Sequence, residues 1–288
     1  MSMIHSWKNQ KAGQKPYVIP SRPESLVSIV ELMKAQEPNT EQIAAILRKD
    51  VYLYSSVLAA VNVPVFALNH KITDINHAIT LLGLDRLFSI VRLAALKNSL
   101  STTERLDRFW DSATEVAEIC ASIAVKYTGL DIHTAYSIGM MHDCGIPLML
   151  ESHPDFKAFL REANAQDLLS LQNDEQKRFG SNHFQVGAEI AHLWYMPDSI
   201  CEAIAYQPTV ITVLEGTLPC SDEGKLLLSV LTLAKDISTV YRRFWRIYDS
   251  SEPVPQLSVV LEYIGLPDIE YLDLREDFIS LLESREND

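Results

Sequence analysis

The stretch from Trp110 to Gly129, WDSATEVAEICASIAVKYTG, decides the fold class. Trp110, Ala113, Ala117, Cys120, Ala121 and Ala124 fall on one face of an α-helix, and Gly129 ends the run as glycines commonly end helices. The same signature repeats toward the C-terminus. Asp131 can cap a helix that buries Ala135, Ile138 and Met141, and another helical piece lies around Asn164 to Gln172. Asn182 or Ser181 opens a helix carrying Val186, Gly187, Ile190, Ala191 and Trp194, stopped by Pro197. Residues 222–245 read as a last strong helix. Short helices are expected in the acidic, Pro-containing tail, at Leu257 to Ile264 and Glu276 to Leu282.

Toward the N-terminus, Ser21-Arg22-Pro23-Glu24 has the form of a capping box, with Pro23 in the first turn of a helix that buries Leu26, Ile29, Val30 and Met33. A second helix starts at Asn39 or Thr40 and buries Ile43, Ile46 and Leu47. A third follows Asp50 and ends before Pro64. After a loop at Asn69 to Thr73, a helix runs to Gly83 and a new one begins near Asp85. No alternating run of strand length competes. The expected fold is all-α: a multi-helix bundle with an N-terminal helical subdomain over residues 1–100, a second helical subdomain over 101–248, and the tail from 249 to 288. The polar segment Asn98 to Arg108 serves as the link between the two subdomains.

Composition narrows the function. The chain has 288 residues, 47% hydrophobic and 22% charged, with a formal net charge of −13 and an isoelectric point near 5.1. Affinity for nucleic acid comes largely from Lys and Arg set against phosphates. A chain with 38 acidic and 25 basic residues is a poor candidate. Its densest basic run, Arg242-Arg243 with Arg246, reads as the solvated face of a helix. The opening MSMIHSWKNQKAGQK has no apolar core with a cleavage site behind it. Val51 to Asn69 contains no charged residue, but Ser55, Ser56, Asn62 and Pro64 argue against a membrane span. Cys120, Cys144, Cys201 and Cys220 form neither a CxxC pair nor a disulfide framework. A cytoplasmic protein that uses neither membrane nor nucleic acid is the expectation.

The chemistry centres on Met141-His142-Asp143-Cys144-Gly145. Adjacent His and Asp at the end of an apolar helix each cost free energy to bury unpaired, and a divalent metal would give both a partner. Taken alone, the pair reads equally well as a helix-end histidine beside a capping aspartate.

The wider succession carries more. Phe109-Trp110-Asp111-Ser112, the His142-Asp143-Cys144-Gly145 run, Phe179-Gly180-Ser181-Asn182-His183-Phe184-Gln185-Val186-Gly187 and Trp194-Tyr195-Met196-Pro197 together resemble the HDOD family. Ile19-Pro20-Ser21 and Ile75-Asn76-His77-Ala78-Ile79-Thr80-Leu81-Leu82-Gly83 look like that family's opening segments, so the resemblance covers roughly residues 16–245. It implies an HD-phosphohydrolase scaffold. Such enzymes hold metal with a first His, the His-Asp pair and a later Asp. Here the pair is His142 and Asp143, but Ser112 stands where the first His is expected and Asp111 beside it points elsewhere. Lys235 stands where the later acid is expected, with Asp236 one position late. His183 matches a second-metal His of some relatives, whose own partner is replaced around Ala205-Tyr206-Gln207.

The resemblance therefore implies a non-catalytic signal-transduction module acting through signalling proteins in trans or a small ligand, with no cofactor expected. A divalent metal, if held, would fall to His142, Asp143 and His183. The alternative is a metal-dependent phosphohydrolase or cyclic di-nucleotide phosphodiesterase using His142, Asp143, His183 and Asp236. Without metal, His142 and Asp143 are expected to form a polar cluster with His183 and Ser112, directly or through water. A bound small anion or metabolite in the same cleft is the other way to satisfy them.

Overall fold

The computed structural model describes residues 17–68, 70–100, 106–163, 167–245, 247 and 256–286, and every regular element among them is helical. The fold class is all-α, as the periodicity indicates. Residues 1–16, Asn69, residues 101–105 of the link, Asn164, Arg246 and the start of the tail lie outside the described residues.

The chain divides into two compact units. The smaller holds the described residues of Ile19–Arg105 together with Trp194–Met196. Its helices are α1 (Glu24–Met33), α2 (Thr40–Lys49), α3 (Val51–Val61), α4 (Ile75–Leu82) and α5 (Leu84–Leu100). Polar caps start three of them: Asn39 accepts from the Gln42 N–H at 2.9 Å, Asp50 from Leu53 at 3.0 Å and Asp74 from His77 at 3.0 Å. Leu26, Ile43, Leu47, Val57 and Ile75 are fully buried or nearly so. The expected capping box is absent. Pro23 is itself the N-cap, in extended backbone, and no side chain caps α1. Ser21 stands two residues ahead of that cap, too early for the first N–H groups.

The larger unit holds the described residues of Met1–Val18, Leu106–Leu193 and Pro197–Asp288. Its helices are α6 (Asp107–Ile123), α7 (Ile132–Met141), α8 (Gly145–Ser152), α9 (Phe156–Glu162), α10 (Leu168–Phe179), α11 (His183–Leu193) and α12 (Asp198–Ala205). They are followed by α13 (Val210–Leu214), α14 (Asp222–Ile237), α15 (Thr239–Phe244), α16 (Leu257–Ile264) and α17 (Asp268–Glu286). Helix α6 runs on through a π turn, Ala124–Thr128, to Gly129 at φ 68°. It lies along α7 at a contact only glycine permits, since a Cβ at Gly139 would stand 2.3 Å from the Ala117 Cα.

Three expectations need correcting in this unit. The 222–245 helix is two helices, because Ser238 leaves the helical region at ψ 117° and caps α15 through the Tyr241 N–H. The break is fixed from outside: Glu115 of α6 accepts from Ser238 Oγ at 2.6 Å and from the Val240 N–H at 2.9 Å. Trp194 lies beyond the end of α11 and not within it. Arg242 is buried beside Asp236 and not solvated, whereas Arg243 is exposed. Toward the C-terminus, α17 is longer than the segment expected there, and α16 and α17 both pack on α14. Among the described residues no helix is long and apolar enough to cross a membrane.

Candidate functional site

The end of α7 delivers His142 and Asp143 into the larger unit, where both are almost fully buried. A second close contact sets what faces them. A Cβ at Gly145 would stand 2.0 Å from the His183 carbonyl oxygen, so the start of α8 abuts the start of α11. That brings His183 to the pair, with its Nε2 3.9 Å from Asp143 Oδ1. His142 Nε2 is 3.2 Å from Asp143 Oδ2, without the alignment of a hydrogen bond.

Both imidazoles are oriented from behind. Gly139 O accepts from His142 Nδ1 at 2.6 Å. Glu175, wholly buried on α10, takes His183 Nδ1 at 2.7 and 2.8 Å and its backbone N–H at 2.7 Å. With Nδ1 held by an acceptor in each ring, Nε2 is the nitrogen turned toward Asp143. Trp245, just past α15, donates from Nε1 to Asp143 Oδ2 at 3.2 Å. His142 Nε2, Asp143 Oδ1 and His183 Nε2 remain, buried and without a hydrogen bond.

The fourth side of the site is cationic. Lys235 of α14 is buried, donates to Gln207 Oε1 at 2.7 Å and lies 4.9 Å from the centroid of the Tyr241 ring. Gln207 in turn donates to the His142 carbonyl at 2.7 Å, and the His142 and Tyr241 rings are 5.6 Å apart. Burial lowers the Lys235 ammonium to about 8, against the opposing pull of Asp143. Burial would raise Asp143, but His142, Lys235 and His183 together hold its carboxyl well below the usual carboxylate range.

His142, Asp143 and His183 thus come together, and the other two site residues do not join them. Ser112 is buried on α6 but makes no hydrogen bond with any of the three. Asp236 is one residue from Lys235, which turns it about 100° around α14. It faces α17, where it accepts from Tyr271 at 2.5 Å and pairs with Arg242 at 3.3 Å and Arg275 at 3.2 Å. Among the described residues no group of three or more His, Cys, Asp or Glu is arranged as a ready metal cage. Sequence reasoning missed Glu175 and Trp245. Glu175 sits in a run of charged residues that looks solvated, and Trp245 reaches Asp143 only because the helix breaks at Ser238.

Comparison with known proteins completes the description. A protein of Treponema pallidum (strain Nichols), described only as uncharacterized, is 23% identical over 241 residues, covering 76% of this chain and 47% of that one. The chain therefore spans about half the length of the curated relative it matches. Among solved structures, a "Putative phosphohydrolase" from Shewanella amazonensis superposes with TM-score 0.65 at 20% identity, covering 91% of this chain and 90% of that one. An HDOD domain protein with unknown function from Geobacter sulfurreducens does so with TM-score 0.61 at 21% identity, covering 93% and 89%. At such identities the likeness speaks to the fold. The sequence itself matches the HDOD domain over residues 19–210, and the chain belongs to the HDOD domain family.

Proposed function

We propose that this chain is a non-catalytic regulatory module, which works by binding signalling partners in trans or a small ligand and turns over no substrate. One observation carries the reading. Lys235 donates to Gln207, which donates to the His142 carbonyl, so a buried ammonium lies beside the His142–Asp143 pair in the site where a hydrolase of this scaffold would need a divalent cation. Metal-assisted hydrolysis depends on an ion held tightly enough to activate water and polarise the phosphoryl oxygen. Two histidines and one aspartate beside a fixed positive charge do not fit that ion. Asp236, the other acid available, is committed to Tyr271, Arg242 and Arg275. No step through a metal follows from these residues.

A second reading has its own support. Three buried donor atoms without hydrogen bonds, on His142, Asp143 and His183, are what a metal-dependent phosphohydrolase would present. The test is hydrolysis of cyclic di-nucleotides and generic phosphoesters with added manganese, iron or zinc. No turnover above background is expected. Turnover that disappears in His142→Ala would overturn the proposal in favour of the second reading. Affinity capture from the native cytoplasm, with mass spectrometry, then identifies the partner.

A further inference from the structure

His142 Nε2, Asp143 Oδ1 and His183 Nε2 converge, are buried, and make no hydrogen bond. Such groups are rare in folded proteins and ask for an explanation. Their surroundings are organised as though for a cation. Each imidazole is held through Nδ1 by an acceptor, Gly139 O for His142 and the Glu175 carboxylate for His183, the arrangement by which outer partners orient histidine ligands. His142 Nε2 stands 3.2 Å from Asp143 Oδ2, and His183 Nε2 stands 3.9 Å from Asp143 Oδ1. Two ligands about 2.1 Å from a tetrahedral ion stand about 3.4 Å apart. Asp143 supplies the carboxylate of the cluster, with Glu175 behind His183, and the cationic side chain packed beside it is Lys235 of α14, which Gln207 links to the His142 carbonyl. Its position is anchored twice, by Gln207 Oε1 at 2.7 Å and by the face of Tyr241 at 4.9 Å.

We propose that Lys235 is the resident cation of this site, and that its ammonium keeps a latent His142–Asp143–His183 metal triad closed. The inference deepens the non-catalytic reading and rests on it: the scaffold replaces an exchangeable ion by a covalently attached charge. A neutral residue at 235 leaves the Asp143 carboxylate and two oriented imidazoles beside an uncharged wall, which favours a divalent cation. In the wild type the same cation would meet a like charge at close range in a low-dielectric interior.

The experiment titrates Co2+ into the full-length wild type and into Lys235→Met and Lys235→Ala, by calorimetry and by the visible absorption of cobalt bound to nitrogen and oxygen ligands. Lys235→Met keeps most of the apolar stem that packs in the site. Both variants are expected to bind one Co2+ at least about tenfold more tightly than the wild type, and His142→Ala combined with Lys235→Met is expected to lose it. Should either variant unfold alone, Co2+ is expected to refold it, and failure to refold overturns the proposal. Absence of binding in folded variants also overturns it, while the non-catalytic reading stands. Equal, tight, His142-dependent binding by the wild type overturns both.

Discussion

Glu175 is the residue on which the site's geometry depends most, although it faces no solvent and reaches the site through His183. It accepts both the ring Nδ1–H and the backbone N–H of that residue, and it is wholly buried. Removing it leaves a buried ring N–H and a buried backbone N–H without an acceptor, at about 1–3 kcal/mol each. Glu175→Ala is therefore expected to lower stability by that order in urea denaturation. Glu175→Gln, which keeps one acceptor, is expected to lose less. Equal stability of Glu175→Ala and the wild type would show that His183 is held by something else. Asp143 gives the pH counterpart. Its carboxyl sits below its ordinary value of 3.8 through His142, Lys235 and His183, despite burial. A depressed folded-state value means that the stabilisation is complete above the unfolded value and disappears as pH falls through the folded one. The stability difference between the wild type and Asp143→Asn is expected to shrink steadily below about pH 4. A constant difference from neutral to acid pH would contradict the charge pairing.

At the scale of elements, two glycine contacts and one buried network hold the larger unit together. Gly139 lets α7 approach α6, and Gly145 lets α8 meet α11. In both cases the atom that a Cβ would strike is backbone, which cannot swing aside. Gly139→Ala and Gly145→Ala are each expected to cost at least about 1–3 kcal/mol, read as a lowered denaturation midpoint. Gly145→Ala is also expected to shift the His183 ring resonances in an NMR spectrum. Unchanged midpoints would show that these helices have room to separate. The C-terminal helix is tied in by Tyr271, Arg275 and Arg242 around Asp236. Tyr271→Phe is expected to cost about 1–3 kcal/mol, since it leaves a buried carboxylate short of one donor. The helices and most of their starts were legible because period and caps are local properties, as at Asn39, Asp50 and Asp131. The break at Ser238 was not, because Glu115, more than a hundred positions away in sequence, secures it. The same applies to Arg242, which looks like a surface residue until α17 brings Tyr271 and Arg275 to the same aspartate.

At the scale of the whole molecule, the site is a scaffold's metal position occupied by the protein's own charge. The motif spacing pointed to His142, Asp143 and His183, and these three meet. It could not decide between Lys235 and Asp236, because one helical step settles which of them faces the pair and which faces α17. Nor could it show that Ser112, buried on α6, makes no direct hydrogen bond with the cluster. The proposed regulatory module works without a metal ion in its site. The most direct test is elemental analysis of wild-type protein purified without chelator, alongside His142→Ala. The account predicts substoichiometric manganese, iron, zinc and cobalt in both, with no difference between them. One equivalent of a divalent metal in the wild type, absent from His142→Ala, would contradict it.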